Sequence, residues 1–265
     1  MIASTIKHVL VYIVLFLIGG IQLSVAQNAR FSVNKFVNRQ DTLNYRMLLP
    51  DANNMQKYPL VIFLHGSGER GTDNEAQLKW GVQNFATDEA MAMHPCFVIA
   101  PQCPENNSWD NFEQHDKSVE LKLKSTPTKT MSLVIELIHE MVAKFSIDTN
   151  RIYITGLSMG GFGTYDAIER YPNLFAAAVP VCGGGDVSKA PLIAKLPIWI
   201  FHGAEDPAVN PSFSITMVEA LVKAGAHPGF TQYPSVGHFS WLAAYKDPLM
   251  MEWLFRQHKS MRQYS

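Results

Sequence analysis

Cysteine is scarce in this sequence: Cys96, Cys103 and Cys182 are the only three in 265 residues. So sparse and odd a set excludes a small scaffold stapled by disulfides. Cys96 and Cys103 bracket Phe97-Val98-Ile99-Ala100, which reads as a strand. In extended chain they stand roughly 23 Å apart, too far for a bridge that needs Cα atoms within about 7 Å. A Cys103–Cys182 bridge stays open on the sequence, and we expect none. Charge of one sign is also missing. The formal net charge is −1, only 17% of residues are charged, and no long single-sign run occurs. There is thus no electrostatic case for nucleic acid or an anionic membrane surface. The histidines lack paired ligand spacing such as H-x-x-x-H, so no metal site is expected. No internal repeat or low-complexity tract is visible.

A long apolar run is absent as well. Lys7 and His8 precede a short apolar stretch, Val9 to Ile18, followed by Gly19-Gly20 and Ser24-Val25-Ala26. The stretch is short for a bilayer span, which needs roughly 20 apolar residues. A basic start, a short apolar centre and small residues before Gln27 predict a secretory signal peptide over residues 1–26. No cysteine lies near that cleavage site to carry a lipid. The expectation is a periplasmic or secreted protein without a stable membrane anchor.

What remains, residues 27–265, is rich enough in apolar side chains (47% of the whole chain) for one sizeable core. Phe31–Asn38 and Leu43–Leu49 read as a hairpin joined around Arg39-Gln40-Asp41. Pro59–Leu64, Phe97–Pro101, Ile152–Thr155, Phe175–Val181, Ile198–Phe201 and Phe230–Tyr233 read as buried strands. Between and after them lie helical patterns: weak over Glu75–Phe85, strong over Lys129–Phe145, then Thr164–Arg170, Pro211–Lys223 and Leu242–His258. Gln102–Thr126 is polar and reads as a long surface loop. Strands alternating with helices predict a mostly parallel sheet with helices on both faces. Between Val181 and Pro197 there is no room for a large cap domain.

One stretch organises the rest. Ile152-Tyr153-Ile154-Thr155 leads into Gly156-Leu157-Ser158-Met159-Gly160, a G-x-S-x-G at the turn from strand to helix. Such a turn holds its serine in a strained backbone with the hydroxyl above the sheet. A serine is a poor nucleophile until a base takes its proton, and the base needs a third group to orient it. In this architecture the order along the chain is serine, acid, histidine. The loop after Ile198–Phe201 carries Glu205 and Asp206, of which the shorter Asp206 suits a fixed orienting role. The loop after Phe230–Tyr233 carries His238. His202, ending a strand beside Gly203, is expected to be structural. Donors for an oxyanion are predicted at the N–H of Met159 and in the loop Gly66–Gly71, with Ser67 preferred and Gly66 the near alternative.

These segments resemble the α/β-hydrolase superfamily, specifically its phospholipase/carboxylesterase and polyhydroxybutyrate-depolymerase-like esterases. The resemblance rests on His65-Gly66-Ser67-Gly68-Glu69-Arg70-Gly71, Ala100-Pro101-Gln102-Cys103-Pro104 with Trp109, Gly156–Gly160, His202–Asp206 and Gly237-His238-Phe239-Ser240-Trp241. It implies a serine esterase with Ser158, Asp206 and His238 as triad and no cofactor. It also implies a small-molecule or polysaccharide-borne ester as substrate, relatives often being secreted and cleaving acetyl or feruloyl esters. The polar stretch Glu113–Thr128 departs from the family pattern. A serine peptidase of the prolyl-oligopeptidase type uses the same triad but carries a large gating domain, for which this chain has no length. A non-catalytic carbohydrate-binding protein would have no need of all three triad residues. Without a cap, the mouth above Ser158 is expected to be open. The loops after the strands offer no long apolar lining, only an aromatic wall of Trp109 and Trp241. Of the two, Trp109 is the better pocket residue, since Trp241 fits the core beneath the histidine loop equally well.

Overall fold

The structure, a computed structural model, describes residues 27–51, 56–114 and 120–259. The leader expected over residues 1–26 lies outside the described residues. Ten strands are described: β1 Ser32–Asn38, β2 Asp41–Leu48, β3 Tyr58–Leu64, β4 Phe97–Pro101, β5 Phe112–Gln114, β6 Leu121–Leu123, β7 Ile147–Leu157, β8 Ala177–Val181, β9 Trp199–Gly203 and β10 Gly229–Tyr233. Eight of them form one sheet in the order β1-β2-β4-β3-β7-β8-β9-β10. β1 pairs antiparallel with β2, and β2 antiparallel with β4. From β4 to β10 in that order, every pairing of the eight-stranded sheet is parallel.

β3 shows why the sheet is covered on both sides. Leu60, Ile62 and Leu64 join one core cluster, whereas Val61 and Phe63 join another on the opposite face. The first cluster receives Met131, Val134, Leu137 and Ile138 from the helix Lys129–Lys144 and Ile168 from the helix Met159–Arg170. The second receives Trp241, Tyr245, Met250 and Leu254 from the C-terminal helices Trp241–Ala244 and Pro248–Arg256 and the turn between them. Period-2 alternation along a strand puts successive side chains on opposite faces, so a strand apolar throughout must be sandwiched. This is the α/β-hydrolase architecture. Among the described residues, the connection from β8 to β9 holds only a 3₁₀ turn, Val187–Lys189, and the short helix Ala190–Ile193.

Three expectations need correction. The helix expected over Glu75–Phe85 is two 3₁₀ turns, Ala76–Leu78 and Val82–Ala86, separated by Gly81 at φ 78°. A Cβ there would meet the Tyr245 ring at 2.5 Å, so glycine is required where the helix breaks. A helix at Asp88–Met93, N-capped by the Thr87 side chain, was not expected at all. Most consequentially, Gln102–Thr126, though much of its described length is exposed, is not loop throughout. It carries the antiparallel pair β5–β6 and buries Trp109 completely.

Candidate active site

β7 ends in Leu157, and Ser158 follows with φ 54° and ψ −117° before the helix Met159–Arg170 begins. Positive φ is costly for a residue with a Cβ and persists only where its surroundings fix it. Here the fixing is steric. A Cβ at Gly160 would lie 2.0 Å from the Leu64 carbonyl oxygen, and one at Gly156 would lie 2.4 Å from that of Gly160. Glycine at both positions lets the helix start press against β3, which turns the Ser158 hydroxyl out above the sheet.

The structure brings the three expected side chains into one hydrogen-bonded chain. The Ser158 hydroxyl lies 2.9 Å from His238 Nε2, and His238 Nδ1 donates to Asp206 Oδ2 at 2.7 Å. Asp206 is held in turn, since its Oδ1 accepts the backbone N–H groups of Ala208 at 2.8 Å and Val209 at 2.9 Å. Glu205 is exposed, whereas Asp206 is buried. His202 lies under the acid with Nε2 3.0 Å from the Val209 carbonyl and 3.4 Å from Asp206 Oδ2. Its Nδ1 accepts the Ser214 hydroxyl at 2.7 Å. Burial lowers the His202 pKa, so it serves as a neutral strut for the acid loop.

The two expected oxyanion donors follow β3 and β7. Met159 and Ser67 are the first residues of the helix Met159–Arg170 and the 3₁₀ turn Ser67–Glu69, so neither N–H has an acceptor within its own helix. Glu69, at the end of that 3₁₀ turn, is buried. Desolvation raises the pKa of its carboxyl, and the nearby Lys79 charge lowers it only in part. A Cβ on Gly66 would stand 2.9 Å from Leu157 and 3.6 Å from Ser158 Cβ, which shows how close this loop comes to the nucleophile.

His65, just before that loop, was not singled out as a functional side chain in the sequence, yet it is the loop's pivot. Its Nδ1 donates to the Gly66 carbonyl at 2.6 Å while its Nε2 accepts the Cys103 N–H at 2.9 Å. A ring that donates and accepts in this way is neutral, and desolvation pushes its pKa down to about 4. Gln102 extends the clamp, accepting the Asn74 N–H at 2.7 Å and donating to Asp73 at 2.8 Å.

Both expected aromatic wall residues are corrected here. Trp109 is fully buried; its Nε1 donates to the His65 carbonyl at 3.0 Å, and its Cβ occupies the space that a side chain on Gly163 would need. It therefore braces the oxyanion loop from beneath. Trp241 is 4% exposed and packs edge-on against the His238 ring at 5.0 Å between centroids. It lies in the core under the histidine loop, the second of the two places the sequence left open. The aromatics that do reach the surface near His238 are Phe239, 54% exposed, and its edge-on neighbour Trp80.

All three cysteines are free and buried. Among the described residues, one group of three metal-ligand types lies together: Cys182, Asp206 and His238. Two of these are committed to the hydrogen-bonded chain above, and burial pushes the Cys182 thiol up to about 12, so it is a protonated packing group against Ser240.

Residues 51–247 match the model of the phospholipase/carboxylesterase family. A solved thermostable esterase is 41% identical with a TM-score of 0.82, covering 88% of this chain and 64% of its own. A bifunctional acetylxylan esterase/xylanase of Neocallimastix patriciarum is 29% identical over 154 residues, 57% of this chain but only 20% of that protein. A probable carboxylesterase of Oryza sativa subsp. japonica is 26% identical over 198 residues, 68% of this chain and 81% of the relative. A ferulic acid esterase shares the fold at a TM-score of 0.66 and 16% identity, covering 85% of this chain and 98% of its own. With most of its length under the family model and a serine, a histidine and an acid joined at the sheet's edge, the chain belongs to the phospholipase/carboxylesterase family of α/β hydrolases.

Proposed function

We propose that the protein is an exported carboxylesterase that hydrolyses short-chain or aromatic esters, of the acetyl and feruloyl type, through an acyl-enzyme. The observation that carries this reading is the unbroken chain from Ser158 Oγ through His238 to the doubly fixed Asp206. His238 Nε2 takes the hydroxyl proton as Oγ attacks the ester carbon, and the charge that develops on the carbonyl oxygen is met by the N–H groups of Met159 and Ser67. Collapse of the tetrahedral intermediate passes that proton to the departing alcohol and leaves the acyl group on Ser158. Water then repeats the sequence, giving up its proton to His238 and releasing the acid. Asp206 keeps the imidazole in the tautomer with its proton on Nδ1.

Export rests on the basic, apolar and small-residue pattern of residues 1–26. Polysaccharide-borne esters fit the same reading, because the relative from Neocallimastix patriciarum is described as an acetylxylan esterase. The test is direct. A fluorophosphonate probe should label the purified protein once per chain at Ser158, and p-nitrophenyl acetate should be cleaved well. Ser158→Ala should abolish both with its melting temperature kept. Labelling of that variant, or no ester cleaved by the wild type, would sink the reading. Expressed with its leader in a Gram-negative host, the mature protein should start at Gln27; an intact membrane-bound form would show an anchor instead.

A further inference from the structure

The two tryptophans expected to contact substrate are buried, so specificity must come from elsewhere. A cavity of about 290 Å³ opens beside the oxyanion residue, lined by Asp110, Phe112, Leu121, Met159 and Phe162. Its floor is the first turn of the helix that carries the nucleophile, with Met159 directly after Ser158 and Phe162 one turn further on. Its wall is Asp110, Phe112 and Leu121, on and beside the paired strands β5 and β6. That wall is fixed. The Leu123 N–H donates to the buried Asp186 carboxylate at 3.0 Å, and the Asn111 N–H donates to the fully buried Asp166 at 2.9 Å. Leu121 packs with Val209 and Phe213, and the Phe213 ring meets Phe162 edge-on at 5.7 Å. A constellation held by buried carboxylates and interlocked rings keeps its shape as substrate enters.

We propose that Phe112, Leu121 and Phe162, with Asp110 among them, form the pocket for the acyl half of the ester, and that it takes a single-ring hydroxycinnamoyl-type group. This rests on the carboxylesterase reading. The side is set by the proton's path: His238 Nε2 must protonate the departing oxygen, so the alcohol lies over the histidine loop. No cavity residue belongs to that loop. The cavity begins instead at Met159, whose N–H meets the carbonyl oxygen, and the acyl substituent leaves the same carbon away from His238. The class of group follows from size and lining. The volume is at the small end of ligand pockets, which run roughly 300–1,000 Å³, so a flat ring fits and a long chain does not. Phe112 and Phe162 offer aromatic surface to a ring. Asp110, already accepting the Ser108 hydroxyl at 2.6 Å, offers a further acceptor that a methylene tail would desolvate without return.

The experiment compares methyl acetate, methyl octanoate, methyl cinnamate and methyl ferulate on the full chain, and acetate esters of several alcohols in parallel. Phe112→Ala and Phe162→Ala should each lower the ferulate-to-acetate ratio of kcat/KM about tenfold, equivalent to about 1.4 kcal/mol. Asp110→Ala should lower the ferulate-to-cinnamate ratio about fivefold, the worth of a hydrogen bond near 1 kcal/mol. Leu121→Trp, which fills the cavity, should lower the ferulate-to-acetate ratio as well. A ratio does not depend on the fraction of chains that fold, so a destabilised variant still reports. Unchanged ratios in both phenylalanine variants overturn the assignment, as does a response confined to the alcohol series. Wild type that prefers octanoate, or that cleaves acetate and no ferulate, overturns the class of acyl group. Wild type that cleaves no ester at all fails the carboxylesterase reading instead.

Discussion

Two parts of the chain feed the same catalytic edge and are built in opposite ways. The loops after β7, β9 and β10 meet side chain to side chain: Ser158 to His238 to Asp206. The segment after β4 meets its neighbours through the backbone: Trp109 to the His65 carbonyl, His65 to the Cys103 N–H, Gln102 to the Asn74 N–H. In the first part the residue type is the function, so exchanging one side chain removes the chemistry. In the second the side chain is a brace whose product is the position of another residue's N–H. Exchange there should cost stability and geometry in graded amounts, with the reaction surviving.

The largest effect should fall on the first part. Asp206→Asn keeps the shape but favours the wrong imidazole tautomer, and kcat should drop about ten-thousandfold. Glu205→Gln, one residue earlier and exposed, should change kcat by less than about threefold, within the ±0.5 kcal/mol usual for surface exchanges. Comparable losses in the two variants would erase the distinction between a fixed acid and its solvated neighbour.

His65 tests the bracing part by pH. Buried and neutral, it holds a pKa of about 4, against 6.5 for a free histidine. As pH falls below about 6.5 the unfolded chain takes up a proton that the folded ring refuses until about 4. Stability is therefore complete above that window and lost on descending through it, by up to ~3 kcal/mol. Thermal melts of wild type and His65→Asn from pH 7.5 to 4.5 should converge as pH falls. Parallel curves would mean that His65 is protonated in the fold. Trp109→Phe should be milder: removing the indole N–H from a buried carbonyl costs about 1–3 kcal/mol of stability. Because Trp109 lines no part of the acyl cavity, the ferulate-to-acetate ratio should hold. A collapse of that ratio would return Trp109 to the substrate wall.

What could be read from the sequence divides along the same line. The strands of the sheet and the order serine, acid, histidine were legible because each leaves a local mark. These marks are β-branched runs at strand length, a G-x-S-x-G at a strand end, and an acid and a histidine each just past a strand. Asp206 over Glu205 was legible from side-chain length. The segment Gln102–Thr126 was read as loop throughout because its polar composition reports what faces water, while its structure depends on partners far away in sequence. Asp166 and Asp186, which anchor the hairpin, lie 55 and 63 residues from the N–H groups that they accept. Trp109 suffered the same error: a large aromatic in a polar stretch was read as surface, and no local signal named the His65 carbonyl as its partner. Of the cavity residues only Leu121 carried a hint, the alternation Val119, Leu121, Leu123 in an otherwise polar insert; Phe112 and Phe162 carried none.

The smallest effect concerns a group outside both parts. Glu169 sits near the end of the helix that Ser158 starts, 4% exposed. A Cβ on Gly185 would stand 2.3 Å from its Oε1, so the carboxyl fills the space that the glycine leaves. Burial first, then the charges of Asp186 and Asp166, push its pKa well above the usual carboxylate range; the Lys189 charge opposes them only in part, and neither carboxyl oxygen has a hydrogen-bond partner among the described residues. The sign is opposite to that of His65. Above the unfolded value, near 4.5, the unfolded chain releases this proton while the fold still holds it. Stability is then lost as pH rises toward the folded pKa. Glu169→Gln keeps the shape and removes the titration, so it should raise the melting temperature more at pH 8 than at pH 5. Each kcal/mol gained should show as about 2–4 °C in a domain of this size. Kinetics need not enter, since differential scanning calorimetry of the two proteins at the two pH values suffices. An equal shift at both would mean that the carboxyl is already ionised at pH 5.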